Sequence, residues 1–187
     1  MNTPALRPVE APHYDTFENA LDPSLAARLL ALVEAERHRL GSLLNLHEPA
    51  FYTGFHGAAG RTAIATSGDR VVGFALLGFG DAIYPAYRPR LEGLGVPLAR
   101  MAVLSGCLID PAWRGLGVGR ELTAMLVAHA DALGLGYVVV TTHAENHSSW
   151  RLLCSLGFES LGQVALPDSG EPRILMGRRS LRKVAHG

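Results

Sequence analysis

The stretch RGLGVGREL, Arg114 to Leu122, sets three glycines at every second position between two arginines and then opens an apolar run at helical spacing. Glycine at 115, 117 and 119 lets the backbone turn left-handed and leaves its N–H groups uncovered, and the following helix adds the positive end of its dipole. Backbone of this kind holds a phosphate. A dinucleotide-binding GxGxxG loop would need a third glycine where Arg120 stands and a carboxylate about twenty residues on, where Val138 to Val140 run. A Walker A loop needs GxxxxGK followed by Ser or Thr, and the chain has no such run.

Around this loop the chain reads as one domain: 187 residues, 48% hydrophobic and 18% charged, are enough for a full core. Seventeen Lys plus Arg balance seventeen Asp plus Glu, so no overall positive field recommends nucleic acid or an anionic membrane as partner. An anion site must then be local. The opening MNTPALRPVEAPHYDTF has three prolines and no apolar run of signal-peptide length, and its first 15 residues read as a loose lead. No stretch approaches the roughly 18 apolar residues of a membrane span, which points to a cytoplasmic protein. Cys107 and Cys154 lie in apolar segments and suit reduced core thiols better than a disulfide.

Asp22 and Pro23 form an N-cap and first helical residue, Leu25, Leu29, Leu32, Val33 and Leu40 an apolar stripe, and Gly41 the stop. Residues 42 to 60 mix Asn45, His47, Glu48, Tyr52 and His56 with glycines and read as site-forming loop with one short helix. Thr62 to Thr66 and Val71 to Phe79 make a hairpin around SGDR. Residues 80 to 99 form a long connection, with Tyr84 and Tyr87 as aromatic wall candidates. Met101 to Ile109 is a strand, Glu121 to Leu133 an amphipathic helix, and Tyr137 to Thr142 a central strand parallel to 101 to 109. A helix over Ser148 to Leu156 and a hairpin of Glu159 to Leu166 with Arg173 to Arg179 complete an α/β domain.

The run RGLGVG also fits R/QxxGxG/A, with Arg114, Gly117 and Gly119 in the defining places, and LIDPAWRG before it supplies strand, proline and Arg-Gly. Downstream, NHSSWRLLCSLGF, Asn146 to Phe158, brings an asparagine at its start and Leu-Gly-Phe at its end. Over residues 101 to 160 the chain resembles the GNAT superfamily of acyl-CoA-dependent N-acetyltransferases; residues 1 to 60 carry no such resemblance. The resemblance implies a single domain with a mixed, mostly antiparallel sheet, splayed parallel central strands and flanking helices. It implies acetyl-CoA as cosubstrate, no metal, and transfer of an acetyl or short acyl group to an amine by direct attack in a ternary complex. Arg114 and the amides of Gly115, Leu116, Gly117, Val118, Gly119 and Arg120 would hold the pyrophosphate, and Asn146 the pantetheine arm.

The physical reading agrees: an extended arm can pair with strand edge 105 to 109, and an amide near Cys107, Leu108 or Ile109 can stabilise the developing oxyanion. The acceptor is a small-molecule or peptide amine, walled by residues 45 to 56 and 81 to 90; whether the chain forms a homodimer stays open. His143, ending the inner strand, serves as base or polar anchor, and Glu145 as a second candidate. The tyrosine that often serves this superfamily as general acid is Leu153 here, which leaves Cys154 as a fallback donor. That replacement also supports an alternative, a coenzyme-A-binding regulatory or interaction module without transfer. In HAENH the glutamate of an HExxH zinc motif is displaced by Ala144, which argues against a metal.

Overall fold

In a computed structural model of the chain, the structure describes residues 10–40, 47–80, 91–95, 97–166 and 169–180. Gly41, Asn45, Tyr84, Tyr87 and the rest of the 81 to 90 stretch, named above, lie outside the described residues. The elements run β1 (His13–Phe17), α1 (Pro23–Leu40), α2 (Pro49–Thr53), β2 (Gly60–Ser67), β3 (Arg70–Phe79), β4 (Met101–Ile109), α3 (Val118–Ala132), β5 (Tyr137–Thr142), α4 (His147–Ser155), β6 (Glu159–Ala165) and β7 (Pro172–Arg179). Asp22 caps α1 as its sequence predicts, its Oδ1 accepting from the amides of Ser24 and Leu25 at 3.0 Å each. Two boundaries differ from expectation. His13–Phe17 is an edge strand paired with β2, although the stretch before Thr16 reads as loose. It is short and half exposed, so its pairing comes from β2 rather than from its own apolar pattern. Helix α3 starts at Val118, three residues before Glu121, because Gly117 takes φ +85° and turns the chain straight into the helix.

The seven strands form one sheet in the order β1-β2-β3-β4-β5-β7-β6, antiparallel throughout except for the parallel pair β4–β5. Neighbouring residues of a strand serve opposite faces: Leu76 packs with α1 and α2, Leu77 with α3. On one face Val118, Leu122 and Leu126 of α3 and Leu153 of α4 cover Leu104, Val138 and Met176. On the other face, Leu25, Leu29 and Val33 of α1 cover Ile64, Phe74 and Leu108, and a smaller core gathers Val103, Val139, Leu166 and Leu175. Each such buried side chain contributes about 1.5 to 3 kcal/mol. The parallel ladder stops at Leu104↔Val140, while β4 continues to Ile109 and β5 to Thr142. Past that pair the central strands part, and a gap opens through the middle of the sheet.

Candidate active site

A cavity of about 630 Å³ occupies the gap and is reached from both faces of the sheet. Its floor is the free end of β4. There the register with β3 jumps from Leu76↔Ser105 to Ala75↔Cys107, so Gly106 is a bulge residue without a partner in the ladder. Gly106 has φ +66°, and a Cβ there would reach Tyr52 and Leu76 only at ordinary contact distance, so conformation rather than space calls for glycine. The bulge resets the alternation: Leu104, Cys107 and Ile109 lie on the α3 face, Leu108 on the α1 face. Without it the end of β4 would present the wrong side chains to each face.

On the α3 face, the 114–120 loop rims the cavity. Gly115 and Gly117 have φ +75° and +85°, and no acceptor among the described residues takes an amide from residues 115 to 120. Six N–H groups therefore converge at the start of a 15-residue helix. Arg120 and Arg151 stand exposed on this rim, and neither makes an ion pair among the described residues. Leu116, grouped with this loop by sequence, is 56% exposed and does not line the cavity.

Arg114 departs from the expected geometry. Its guanidinium is turned back into the protein, with Nε donating to the carbonyl of Ile109 at 2.9 Å and Nη2 to the carboxylate of buried Glu36 on α1. Glu36 also accepts from Arg39 at 3.2 Å. A carboxylate inside a helix face has to be paired, and Arg114 is the partner that reaches it. The side chain thus anchors the loop to β4 and α1, and the groups the loop leaves open to the cavity are its amides and Arg120. Sequence reading missed Glu36, whose place among leucines in a helical stripe is its one signal.

On the same face, Asn146 caps α4 through Oδ1, which accepts from Ser149 N at 3.1 Å, leaving its amide nitrogen without a partner among the described residues. Thr142 Oγ1 on β5 is buried in the cavity wall with no hydrogen-bond partner among the described residues. Leu153 lines the cavity where a tyrosine donor would stand. Cys154, one residue on, is exposed and outside the cavity wall, because successive helical residues diverge by about 100°. It cannot serve as the proton donor. Cys107 is no core thiol either: it is solvent-accessible and lines the cavity. Burial pushes its thiol up to about 11, partly offset by a hydrogen bond with Thr123.

His143 lines the cavity, and its Nδ1 accepts from the backbone amide of Glu145 at 3.1 Å. With that nitrogen occupied, neutral His143 carries its proton on Nε2 and offers a donor, which fits the polar-anchor reading better than the general base. Glu145 itself is exposed and outside the wall. From the 45 to 56 stretch, His47 and Phe51 reach the cavity, stacked with ring centroids 3.8 Å apart. Tyr52 does not: it is buried against Phe74 beneath the bulge, its hydroxyl accepting from His47 N at 3.0 Å. Glu48 is exposed and also outside the wall. Among the described residues no group of three His, Cys, Asp or Glu is placed to hold a metal ion.

Residues 26–158 match the model of the acetyltransferase (GNAT) family. The chain belongs to that family. Its fold is that of the ribosomal-protein-S18-alanine N-acetyltransferase from Escherichia coli, with a TM-score of 0.65 at 16% identity over 94% of this chain and 99% of that one. A Salmonella typhimurium structure determined with its cofactor acetyl-CoA is equally similar, with a TM-score of 0.63 at 17% identity over 95% of this chain and 99% of that one. In sequence, a mycothiol acetyltransferase from Thermobifida fusca is 37% identical over 65 residues, 35% of this chain. A second, from Nocardiopsis dassonvillei, is 36% identical over 64 residues, 34% of this chain. The matched segments span only 19% and 18% of those two relatives' lengths. No helix among the described residues is long and apolar enough to cross a membrane.

Proposed function

We propose that the protein transfers an acetyl or short acyl group from coenzyme A to an amine, with both substrates bound at the β4–β5 gap. The observation that carries this reading is the pairing of six acceptor-free amides at residues 115 to 120 with an open strand edge at 105 to 109, both on one cavity. The amides and Arg120 suit a pyrophosphate, the β4 edge suits the amides of a pantetheine arm, and the Thr142 hydroxyl and Asn146 amide offer it two further hydrogen bonds. Acetyl-CoA, when bound, supplies a thioester carbon open to an amine.

The amine enters from the opposite face, past His47 and Phe51. As the N–C bond forms, the C–S bond breaks, the amine loses a proton and the thiol gains one. A backbone N–H near Cys107 or Leu108, just past the Gly106 bulge, is the donor for the charge that develops on the carbonyl oxygen. With Leu153 at the usual donor's place and no carboxylate among the described wall residues, acid–base help is small, and orientation provides most of the rate. A thiol leaving group tolerates this near neutral pH, since a free thiol has a pKa of about 8.5.

Coenzyme A release in the presence of acetyl-CoA and a panel of amines tests the reading. Acceptor-dependent release supports it. Coenzyme A binding at micromolar levels with no release from any amine would favour the rival, a regulatory module that keeps the fold and lacks transfer.

A further inference from the structure

The acyl side and the acceptor side of the gap meet at one buried side chain, Tyr52 of α2. Gly106, the bulge residue, has no partner in the β3–β4 ladder, and the parallel ladder with β5 has already ended at Leu104. Packing therefore holds it in place. A Cβ built on Gly106 would lie 3.6 Å from Leu76 Cδ1 and 3.9 Å from Tyr52 Cε1, so those two side chains face the bulge from the acceptor side of the sheet. Tyr52 is 2% exposed, and its ring meets Phe74 edge-on at 5.9 Å and Phe51 at 5.5 Å between centroids. Its hydroxyl reaches the other way and accepts from the backbone N–H of His47 at 3.0 Å. One side chain thus touches the bulge and holds the segment from which His47 and Phe51 enter the cavity.

We propose that Tyr52 sets the distance between the two substrates: its ring braces the bulge that aims the amides at Cys107 and Leu108, and its hydroxyl pins the segment that receives the amine. This rests on the transfer reading above. A β-bulge decides where the groups that follow it point, so a bulge free to relax turns the donor away from the carbonyl oxygen. With little acid–base help, orientation carries the rate, and a misplacement of about 1 Å costs about a hundredfold. Tyr52 lies outside the cavity wall and acts through the bulge and through His47, which makes it a positioning residue. Its two ends act on different constants.

The test measures coenzyme A release from acetyl-CoA with an amine panel that includes spermidine, phenylalanine amide and an alanyl tripeptide, in wild type, Tyr52→Phe and Tyr52→Leu. Calorimetric titration with coenzyme A counts the folded sites. Tyr52→Phe keeps the ring and takes the acceptor from His47 N, so KM for the amine should rise about fivefold, one hydrogen bond's worth, with kcat within twofold of wild type. Tyr52→Leu removes the brace as well, and kcat should fall by about tenfold or more while coenzyme A affinity stays unchanged. Amide hydrogen exchange reads the same division without turnover: it should quicken around His47 in both variants and at residues 105 to 109 in Tyr52→Leu alone. Unchanged kcat and KM per folded site in both variants, with only the melting temperatures lowered, would overturn the inference and leave the transfer reading standing. A kcat loss in Tyr52→Phe as large as in Tyr52→Leu would overturn it too, because the ring would then brace nothing. No release from wild type across the panel would overturn both readings. The Phe variant, which keeps the buried ring, decides even if the Leu variant folds poorly.

Discussion

On the α3 face of the gap, most of the rim comes from one short run, residues 114 to 120, whose acceptor-free groups among the described residues are backbone amides. On the opposite face the wall is gathered from His47, Phe51, Val103, Leu166 and Arg173, residues scattered over more than a hundred positions. The first side is made by conformation: glycines at positive φ and a helix start would hold a pyrophosphate, on the proposed function, in the same way whatever surrounds them. The second is made by side chains that separate elements bring together, so it can change its chemistry without touching the first. Glu36 and Arg114 join the two, since α1 packs against Phe51 and Tyr52 and Arg114 begins the 114–120 loop.

That joint is where the comparison breaks most visibly. Arg114→Ala should lower the unfolding free energy by about 1 to 2 kcal/mol, because it takes one of two cations from the buried Glu36 carboxylate and the lost arginine is itself partly exposed, and should weaken coenzyme A through a displaced loop. Urea denaturation and calorimetry measure the two effects. Glu36→Gln should move both in the same direction; if it is silent while Arg114→Ala abolishes binding with stability intact, Arg114 grips the phosphates directly.

A second effect concerns the cavity floor. Cys107, with its thiol pushed from 9.0 to about 11, should react with iodoacetamide at pH 8 about a hundredfold more slowly than an ordinary cysteine, while exposed Cys154 reacts normally. The sign for stability follows from the raised value. Between pH 9.0 and about 11 the folded state keeps a proton that the unfolded chain loses, so this contribution is present below pH 9 and fades as pH rises through that window. Cys107→Ala should remove that part of the alkaline loss, as pH-dependent melts would show.

Smaller still, Phe51→Ala should raise the acceptor KM by about tenfold, one hydrophobic contact's worth, and leave coenzyme A affinity unchanged. Should both constants move together, the two faces are not separable. Least of all, Thr142→Val should raise the unfolding free energy of the free protein by about 1 kcal/mol, because it removes a buried hydroxyl without a partner, and weaken coenzyme A by about threefold. A loss of stability in that variant would mean the hydroxyl already has a role in the free fold.

The same division explains what the sequence could tell. The left-handed glycines at 115 and 117, the N-cap at Asp22 and the parallel pairing of 101 to 109 with 137 to 142 are all local patterns, and each appears where its spacing predicts. Arg114 misled because an arginine beside a phosphate loop looks like a phosphate ligand until Glu36, 78 residues away, is brought against it. Tyr52 looked like pocket wall and is core, for polarity along a short helix does not say which side faces in. The bulge at Gly106 depends on register between strands, which no single stretch encodes.

The central claim is that backbone conformation at 115 to 120 creates the coenzyme A site. Gly117 is its sharpest point: at φ +85° an added Cβ would meet nothing within 4 Å, so a substitution there acts through conformation and not through a clash. A left-handed β-branched residue costs upwards of about 1 to 2 kcal/mol and would cover the neighbouring amides as well. Calorimetric titration with coenzyme A should therefore show micromolar binding to the wild type and, for Gly117→Val, an affinity about a hundredfold weaker, with the melting temperature lowered by only about 2 to 8 °C so that the protein is still folded at 25 °C. Wild-type-like affinity in Gly117→Val would contradict the account.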